Sequence, residues 1–123
     1  MEAQEFMKFK NWVVVGDVLN ETKYAFRILN SLKNAGYNVV GVSPSSENEE
    51  IFNSLKAVPY KIDVVDLCIN PKKGIEISQE ISELCIDKVL IQPGAESAEI
   101  LGFHLDKGIN VVKGCALIEL SRR

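Results

Sequence analysis

Residues 12–20 read Trp12-Val13-Val14-Val15-Gly16-Asp17-Val18-Leu19-Asn20, an unbroken apolar run that ends in a glycine and a polar loop. Downstream, Ala25, Ile28, Leu29, Leu32 and Ala35 fall at helical spacing, with Lys33 and Asn34 off that stripe and Gly36 after it. A strand whose residues are apolar without alternation must be covered on both faces, and such strands belong to parallel sheets flanked by helices. Strand, loop, amphipathic helix and glycine stop are thus the first half of a βαβ unit.

The pattern recurs. Further β-branched runs are Val39-Val40-Gly41-Val42, Val64-Val65-Asp66-Leu67-Cys68-Ile69, Val89-Leu90-Ile91 and Ile109-Asn110-Val111-Val112. The first, third and fourth runs of the chain are nearly continuous. A second helical stripe holds Ile77, Ile81, Leu84 and Cys85, and a third holds Ala95, Ala98, Leu101 and Leu105, closed by Gly108. The second crossover is irregular: a polar loop at Ser45-Ser46-Glu47-Asn48-Glu49-Glu50, then a short helical turn at Ser54–Ala57 stopped by Pro59. Residues 2–10 and 116–123 each suit a short terminal element. The expectation is a Rossmann-like, doubly wound α/β fold with a five-stranded parallel sheet, residues 1–123 forming one domain. Right-handed crossovers suggest the strand order 3-2-1-4-5.

Composition narrows the function. Of 123 residues, 46% are hydrophobic and 25% charged, ordinary for a folded domain. The net charge is -3 and the 14 basic residues are scattered, which argues against a nucleic-acid partner. No apolar run approaches membrane-spanning length, and the acidic opening Glu2-Ala3-Gln4-Glu5 lacks the pattern of a secretory signal. Three widely spaced cysteines, Cys68, Cys85 and Cys115, fit reduced thiols in a cytoplasm and give no zinc spacing. The single histidine, His104, excludes any two-histidine mechanism; beside an apolar stripe, it reads as a surface or boundary residue. Cys68 and Cys85 read as core.

Ligands of open α/β sheets bind outside the carboxyl ends of the strands, where the strand order reverses. With the order above, the reversal lies between strands 1 and 4. It points to Gly16-Asp17-Val18-Leu19-Asn20 and Gln92-Pro93-Gly94-Ala95, with Ser43-Pro44 and Asn70-Pro71-Lys72-Lys73 as the neighbouring wall. Gly16 lets an anion approach backbone amides, and Lys23, Lys72 and Lys73 lie near helix starts, where a bound anion would offset their opposition to the helix dipole. Asp17 reads as a local backbone cap. Glu96 reads as a dipole-complementing carboxylate in a first helical turn. The later glycines of G-x-G-x-x-G are absent, and Ser43 stands where an NAD site carries an acid, so both features of an NAD fingerprint are missing.

Val14-Val15-Gly16 with Asn20, Ala35-Gly36-Tyr37, Gly41-Val42-Ser43-Pro44, Val64-Val65-Asp66 through Asn70-Pro71, Gln92-Pro93-Gly94-Ala95 and Gly114-Cys115 follow one another in order. Through them the chain resembles the small stand-alone CoA-binding proteins, relatives of the N-terminal domain of the succinyl-CoA synthetase α-subunit. That resemblance implies coenzyme A or an acyl-CoA as ligand. It implies pyrophosphate on the first loop, adenosine near Ser43, Pro44, Ile69, Asn70 and Pro71, and pantetheine toward the fourth loop. The implied binding set is Gly16, Asp17, Val18, Asn20, Lys23, Tyr24, Ser43, Pro44, Ile69, Asn70, Pro71, Lys72, Gln92, Pro93, Gly94 and Ala95. Against the family pattern, Val18 replaces a serine, Ile69 replaces an arginine, and Lys23 stands in for a loop arginine.

The preferred reading is non-catalytic binding of a nucleotide-bearing small molecule, with no metal and no catalytic residue. The alternative is a small NAD(P)- or acyl-CoA-dependent enzyme or redox protein using Cys115, the candidate reactive thiol at the end of strand 5. Exposed edge strands permit a homodimer or a partner protein.

Overall fold

The structure, a computed structural model, describes residues 2–122. Its elements are α1 (Ala3–Phe6), β1 (Asn11–Gly16), α2 (Tyr24–Asn34), β2 (Asn38–Val42), β3 (Val64–Cys68), α3 (Pro71–Glu83), β4 (Lys88–Ile91), α4 (Ala98–Asp106), β5 (Asn110–Lys113) and α5 (Ala116–Ser121). A 3-10 turn, Leu55–Ala57, interrupts the long β2–β3 crossover. All strand pairs are parallel, and the sheet order is β2-β1-β3-β4-β5.

The Rossmann-like parallel architecture is therefore as the sequence implies, but the order differs from 3-2-1-4-5. The third strand crosses β1 and inserts between β1 and β4. Burial explains the choice. β1, β3 and β4 are the continuous apolar runs, and each has a neighbour on either side. β2 exposes Asn38, and β5 exposes both Asn110 and Lys113, as edge strands can. Leaving β3 at an edge would have stripped cover from the more apolar strand.

Alternation then sorts the core into two layers. Val13, Val15, Val65, Leu67, Val89 and Ile91 face α3, α4 and the 3-10 turn, meeting Ile77, Ile81, Ile100 and Leu55. Trp12, Val14, Val64 and Leu90 face the other way, onto Phe6, Ala25, Ile28, Leu32 and Ala116. Trp12 also donates its indole N–H to the Phe9 carbonyl at 2.8 Å, so its burial leaves no donor unpaired.

Several helix faces differ from the stripes read in sequence. In α2, Ala25, Ile28, Leu29 and Leu32 are buried as expected, while Ala35 is an exposed C-cap. α3 buries Ile77 and Ile81 but ends before Leu84 and Cys85; Cys85 is an exposed αL residue (φ 59°) rather than core. α4 buries Ile100 and His104, leaving Leu105 70% exposed. The third stripe was thus placed one face off, because Ala95 precedes the helix.

Two titratable groups lie wholly inside. His104 is fully buried with neither ring nitrogen paired, and burial lowers its pKa from 6.5 to about 4. It is not the surface residue the sequence suggested. Asp66, in the middle of β3, is also fully buried, and burial raises its pKa to about 7.

Between pH 6.5 and about 4 the unfolded chain protonates His104 while the fold does not. His104 therefore makes stability fall as pH drops through that window. Asp66 contributes the opposite slope between its unfolded value and about 7, because there the fold retains the proton longer. The difference between wild type and His104→Leu isolates the histidine. Urea denaturation should show His104→Leu gaining on the order of 1–3 kcal/mol over wild type on going from pH 7 to pH 4.5.

Candidate functional site

Order reversal in this sheet falls between β1 and β3, not between β1 and β4, because β1 continues to β2 on one side and β3 opens the other. The carboxyl ends of these two strands part around a cleft of ≈ 580 Å³. That volume lies within the usual range for small-molecule sites.

Its base is set by register. Gly16 pairs with Cys68, and Gln92 continues the β3–β4 ladder by donating its N–H to the Leu67 carbonyl at 3.0 Å. Gly16, Cys68 and Gln92 all line the cleft. Gly16 has φ +154°, and a Cβ there would lie 2.8 Å from the Cys68 carbonyl oxygen and 3.2 Å from the Ala25 Cβ. The close approach of the two backbones depends on that missing side chain.

The first loop is held by its own polar groups. The Asn20 amide donates to Asp17 Oδ2 at 3.3 Å, and Asn20 Oδ1 accepts from the Thr22 N–H at 3.0 Å and its hydroxyl at 2.6 Å. Asp17 thus fastens the loop while lining the cleft. Asn20 acts on the loop and stays off the lining. Val18 turns inward, 2% exposed, against Gly41, where an added Cβ would meet Val18 Cγ2 at 2.7 Å. Its branched side chain packs in the core.

Beyond the loop, α2 starts at Tyr24, with Lys23 as an N-cap residue that supplies no side-chain hydrogen bond. The other crossover helices are capped: Asn70 accepts from the Lys73 N–H at 3.1 Å and Ser97 from the Ile100 N–H at 3.1 Å. The α2 start, Lys23 to Ala25, lines the cleft; the Lys23 N–H donates to the Asn20 carbonyl at 2.9 Å, and the amides of the first turn that follows, from Tyr24, are open to an acceptor. Lys73 projects from the first turn of α3 on the opposite wall.

The fourth loop closes the remaining side. The Gly94 N–H donates to Glu96 Oε2 at 2.7 Å, and Glu96 Oε1 meets Lys113 Nζ at 3.3 Å. Helix α4 begins only at Ala98, so Glu96 clamps the turn rather than complementing a helix dipole. Its pKa is lowered, first by its own backbone N–H, then by the Gly94 N–H and by Lys113.

Of the residues singled out in sequence, the cleft gathers Gly16, Asp17, Lys23, Tyr24, Ser43, Ile69, Asn70, Gln92, Pro93, Gly94 and Ala95. Val18, Asn20, Pro44, Pro71 and Lys72 do not line it. Pro71 opens α3, Lys72 points to solvent, and Pro44 faces a separate groove beside α3. Cys115 is buried as the N-cap residue of α5 and also stands off the lining. Lys73, marked in sequence with Lys72 as an anion-facing wall residue, lines the cleft, as do Ala25, Ser45 and Cys68, which were not named as ligand residues. Cys68 was readable only from the strand order, which puts β3 beside β1.

Below Cys68, its thiol donates to Asp66 Oδ1 at 3.2 Å. Burial, followed by the adjoining carboxylate, holds the Cys68 pKa well above the ordinary thiol value, so it is a neutral thiol. Asp66 Oδ2 and Gln92 Oε1 are buried without partners.

A family model described as a CoA binding domain matches residues 10–121. A conserved hypothetical protein from Pyrococcus furiosus is 32% identical, covers 90% of this chain and 99% of its own, and superposes with a TM-score of 0.82. A hypothetical protein from Pyrococcus horikoshii OT3 shares 24% identity over 95% of this chain and 85% of its own, with a TM-score of 0.86. A dinucleotide-forming acetyl-coenzyme A synthetase 1 from Ca. Korarchaeum cryptofilum, solved with phosphate and ADP, shares the fold at 16% identity and a TM-score of 0.71; the match covers 94% of this chain and 28% of that one. The search of curated proteins finds no match.

A Gly16→Val variant should lose roughly 2–3 kcal/mol of folding stability in denaturant titration, because the new side chain meets β3 backbone. A stability within about 0.5 kcal/mol of wild type would show that the β1–β3 approach tolerates a side chain.

Proposed function

The chain belongs to the CoA-binding domain family, and from that premise we propose that it binds coenzyme A or an acyl-CoA, without catalysis, in the β1–β3 cleft. The observation that carries this reading is the uncapped start of α2 beside Gly16, facing Lys73 across the cleft. Open first-turn amides and two flanking ammonium groups suit a pyrophosphate. Tyr24, 57% exposed at that helix start, offers a flat face to a base or an acyl arm. A smaller recess of ≈ 210 Å³ shares Asp17, Ser43 and Ser45 with the cleft and runs under the β2 end, which suits the adenosine. The pantetheine arm would run toward Gln92-Pro93-Gly94-Ala95.

The non-catalytic part of the reading rests on the lining. Among the described residues Asp17 is its sole carboxylate, its thiol Cys68 is neutral, and His104 lies elsewhere in the core. Three free thiols suit a cytoplasmic setting, and no helix among the described residues is long and apolar enough to cross a membrane.

Thermal and chemical denaturation with CoA, dephospho-CoA, NAD, NADP and ATP in turn tests the ligand. CoA at a hundred times its Kd should add about 2.7 kcal/mol. A response to NAD or NADP with none to CoA would overturn the proposal. Lys23→Glu and Lys73→Glu should each weaken CoA roughly tenfold, with unliganded stability changing by about 0.5 kcal/mol or less.

Incubation with acetyl-CoA followed by intact-mass measurement tests the absence of covalent chemistry. The mass should stay that of the unmodified chain. An acetyl adduct abolished by Cys115→Ser or Cys68→Ser would make the protein an acyl acceptor.

A further inference from the structure

Register stacks the side chains of one sheet face into rows. The row at the cleft contains Gly16 and Cys68, followed by Gln92. The row beneath it contains Val14, Asp66 and Leu90. Asp66 is thus one row below the cleft floor and bonded to a floor residue, the Cys68 thiol, at 3.2 Å.

Among the described residues, no cation pairs with it. The helices packed on this face present Ala25, Ile28 and Leu29 from α2, Ala116 from α5 and Phe6 from the N-terminal segment. Charged groups of the surrounding elements are exposed or engaged elsewhere. Lys88 of β4 meets Asp87 and the Phe9 ring, Glu119 of α5 meets Arg122, and Glu5 accepts the Glu2 N–H. Lys33 and Arg27 of α2 are exposed. The thiols of Cys68 and Cys115 and the Tyr37 phenol, whose hydroxyl donates to the Met7 carbonyl at 2.6 Å, also belong to this face, and Asp17 and Lys23 stand at the cleft above it.

We infer that anion binding in the cleft is coupled to proton uptake, with Asp66 as the group that takes the proton. This rests on the reading of the cleft as a CoA site. The free protein holds Asp66 near its midpoint at neutral pH: burial, partly offset by the thiol hydrogen bond, leaves its pKa raised to about 7. A phosphate beside Gly16 adds a negative charge above the carboxylate, and the ligand covers the floor that separates Asp66 from water. Like charge and desolvation both favour the neutral acid. Linkage makes the effect reciprocal, so affinity falls as pH rises through the Asp66 pKa.

Calorimetric titration at pH 7 in two buffers of different ionisation enthalpy reads the proton directly. A phosphate monoester titrates near pH 6 by itself. Dephospho-CoA, which lacks that group, is therefore run beside CoA. Both should show net proton uptake, with Kd rising roughly fivefold or more between pH 6 and pH 8. Asp66→Asn should abolish the uptake and flatten the pH profile. Cys68→Ala provides an independent readout should the asparagine variant fail to fold: without the thiol donor the Asp66 pKa rises, and the midpoint of the pH profile should move upward. Binding without proton uptake in wild type, or uptake unchanged in Asp66→Asn, overturns this inference alone. An unmoved midpoint in Cys68→Ala does the same. Failure of CoA and dephospho-CoA to bind at any pH overturns the reading of the site as well.

Discussion

The backbone contact between Gly16 and Cys68 governs the geometry of this domain. β1 is hydrogen-bonded on both sides, and at its last residue the neighbouring β3 carbonyl stands where a Cβ would be. A glycine there lets the two strands remain paired to their ends. The chain then leaves β1 in one direction and β3 in the other, and the cleft is the space between their departures. Most residues lining the cleft lie on segments that leave the carboxyl ends of β1 to β4.

Around that opening the protein divides its polar groups into two kinds. Some build the walls: Asn20 ties the first loop, Asn70 caps α3, and Glu96 closes the Gly94 turn against Lys113. These are short-range bonds that hold loop shape. Others are left without partners in the interior, notably Asp66 Oδ2 and Gln92 Oε1. Burying unsatisfied polar atoms opposes folding, by about 1–3 kcal/mol for each group. Both atoms lie at or just under the cleft floor. His104 is a buried polar residue of another sort, lying on α4 and off the cleft lining.

The cleft was legible in sequence to the extent that it is built from loop chemistry. Gly16, Asp17, Lys23, Asn70 and the Gln92–Ala95 segment were marked because glycines, prolines and charges after strands have local meanings. Val18 was marked by its position in the first loop; its side chain packs against Gly41 and borders the smaller recess beside the cleft rather than the cleft itself. Cys68 was read as core and Asp66 only as part of a strand motif, because a polar residue inside an apolar run has no local partner to identify its role. Their meaning depends on what stands in the neighbouring strands.

Strand order shows the same division. Periodicity alone determined that there would be strands alternating with helices in a parallel sheet, because burial on one or two faces writes a period into the chain. The edge strands were not written as plainly: β2 and β5 interrupt their apolar runs with Gly41 and Asn110, but β3 also carries Asp66 within its run. What the local pattern could not choose was which side of β1 receives β3, as both orders keep right-handed crossovers. That choice was made by packing: the 43–63 crossover lays Leu55 and Val58 over the sheet and delivers β3 to the position covered on both sides. Fold class thus came from the sequence by itself, because periodicity is a property of neighbours along the chain. The cleft between β1 and β3, and the carboxyl group beneath it, came only from tertiary structure, because they depend on neighbours across the sheet.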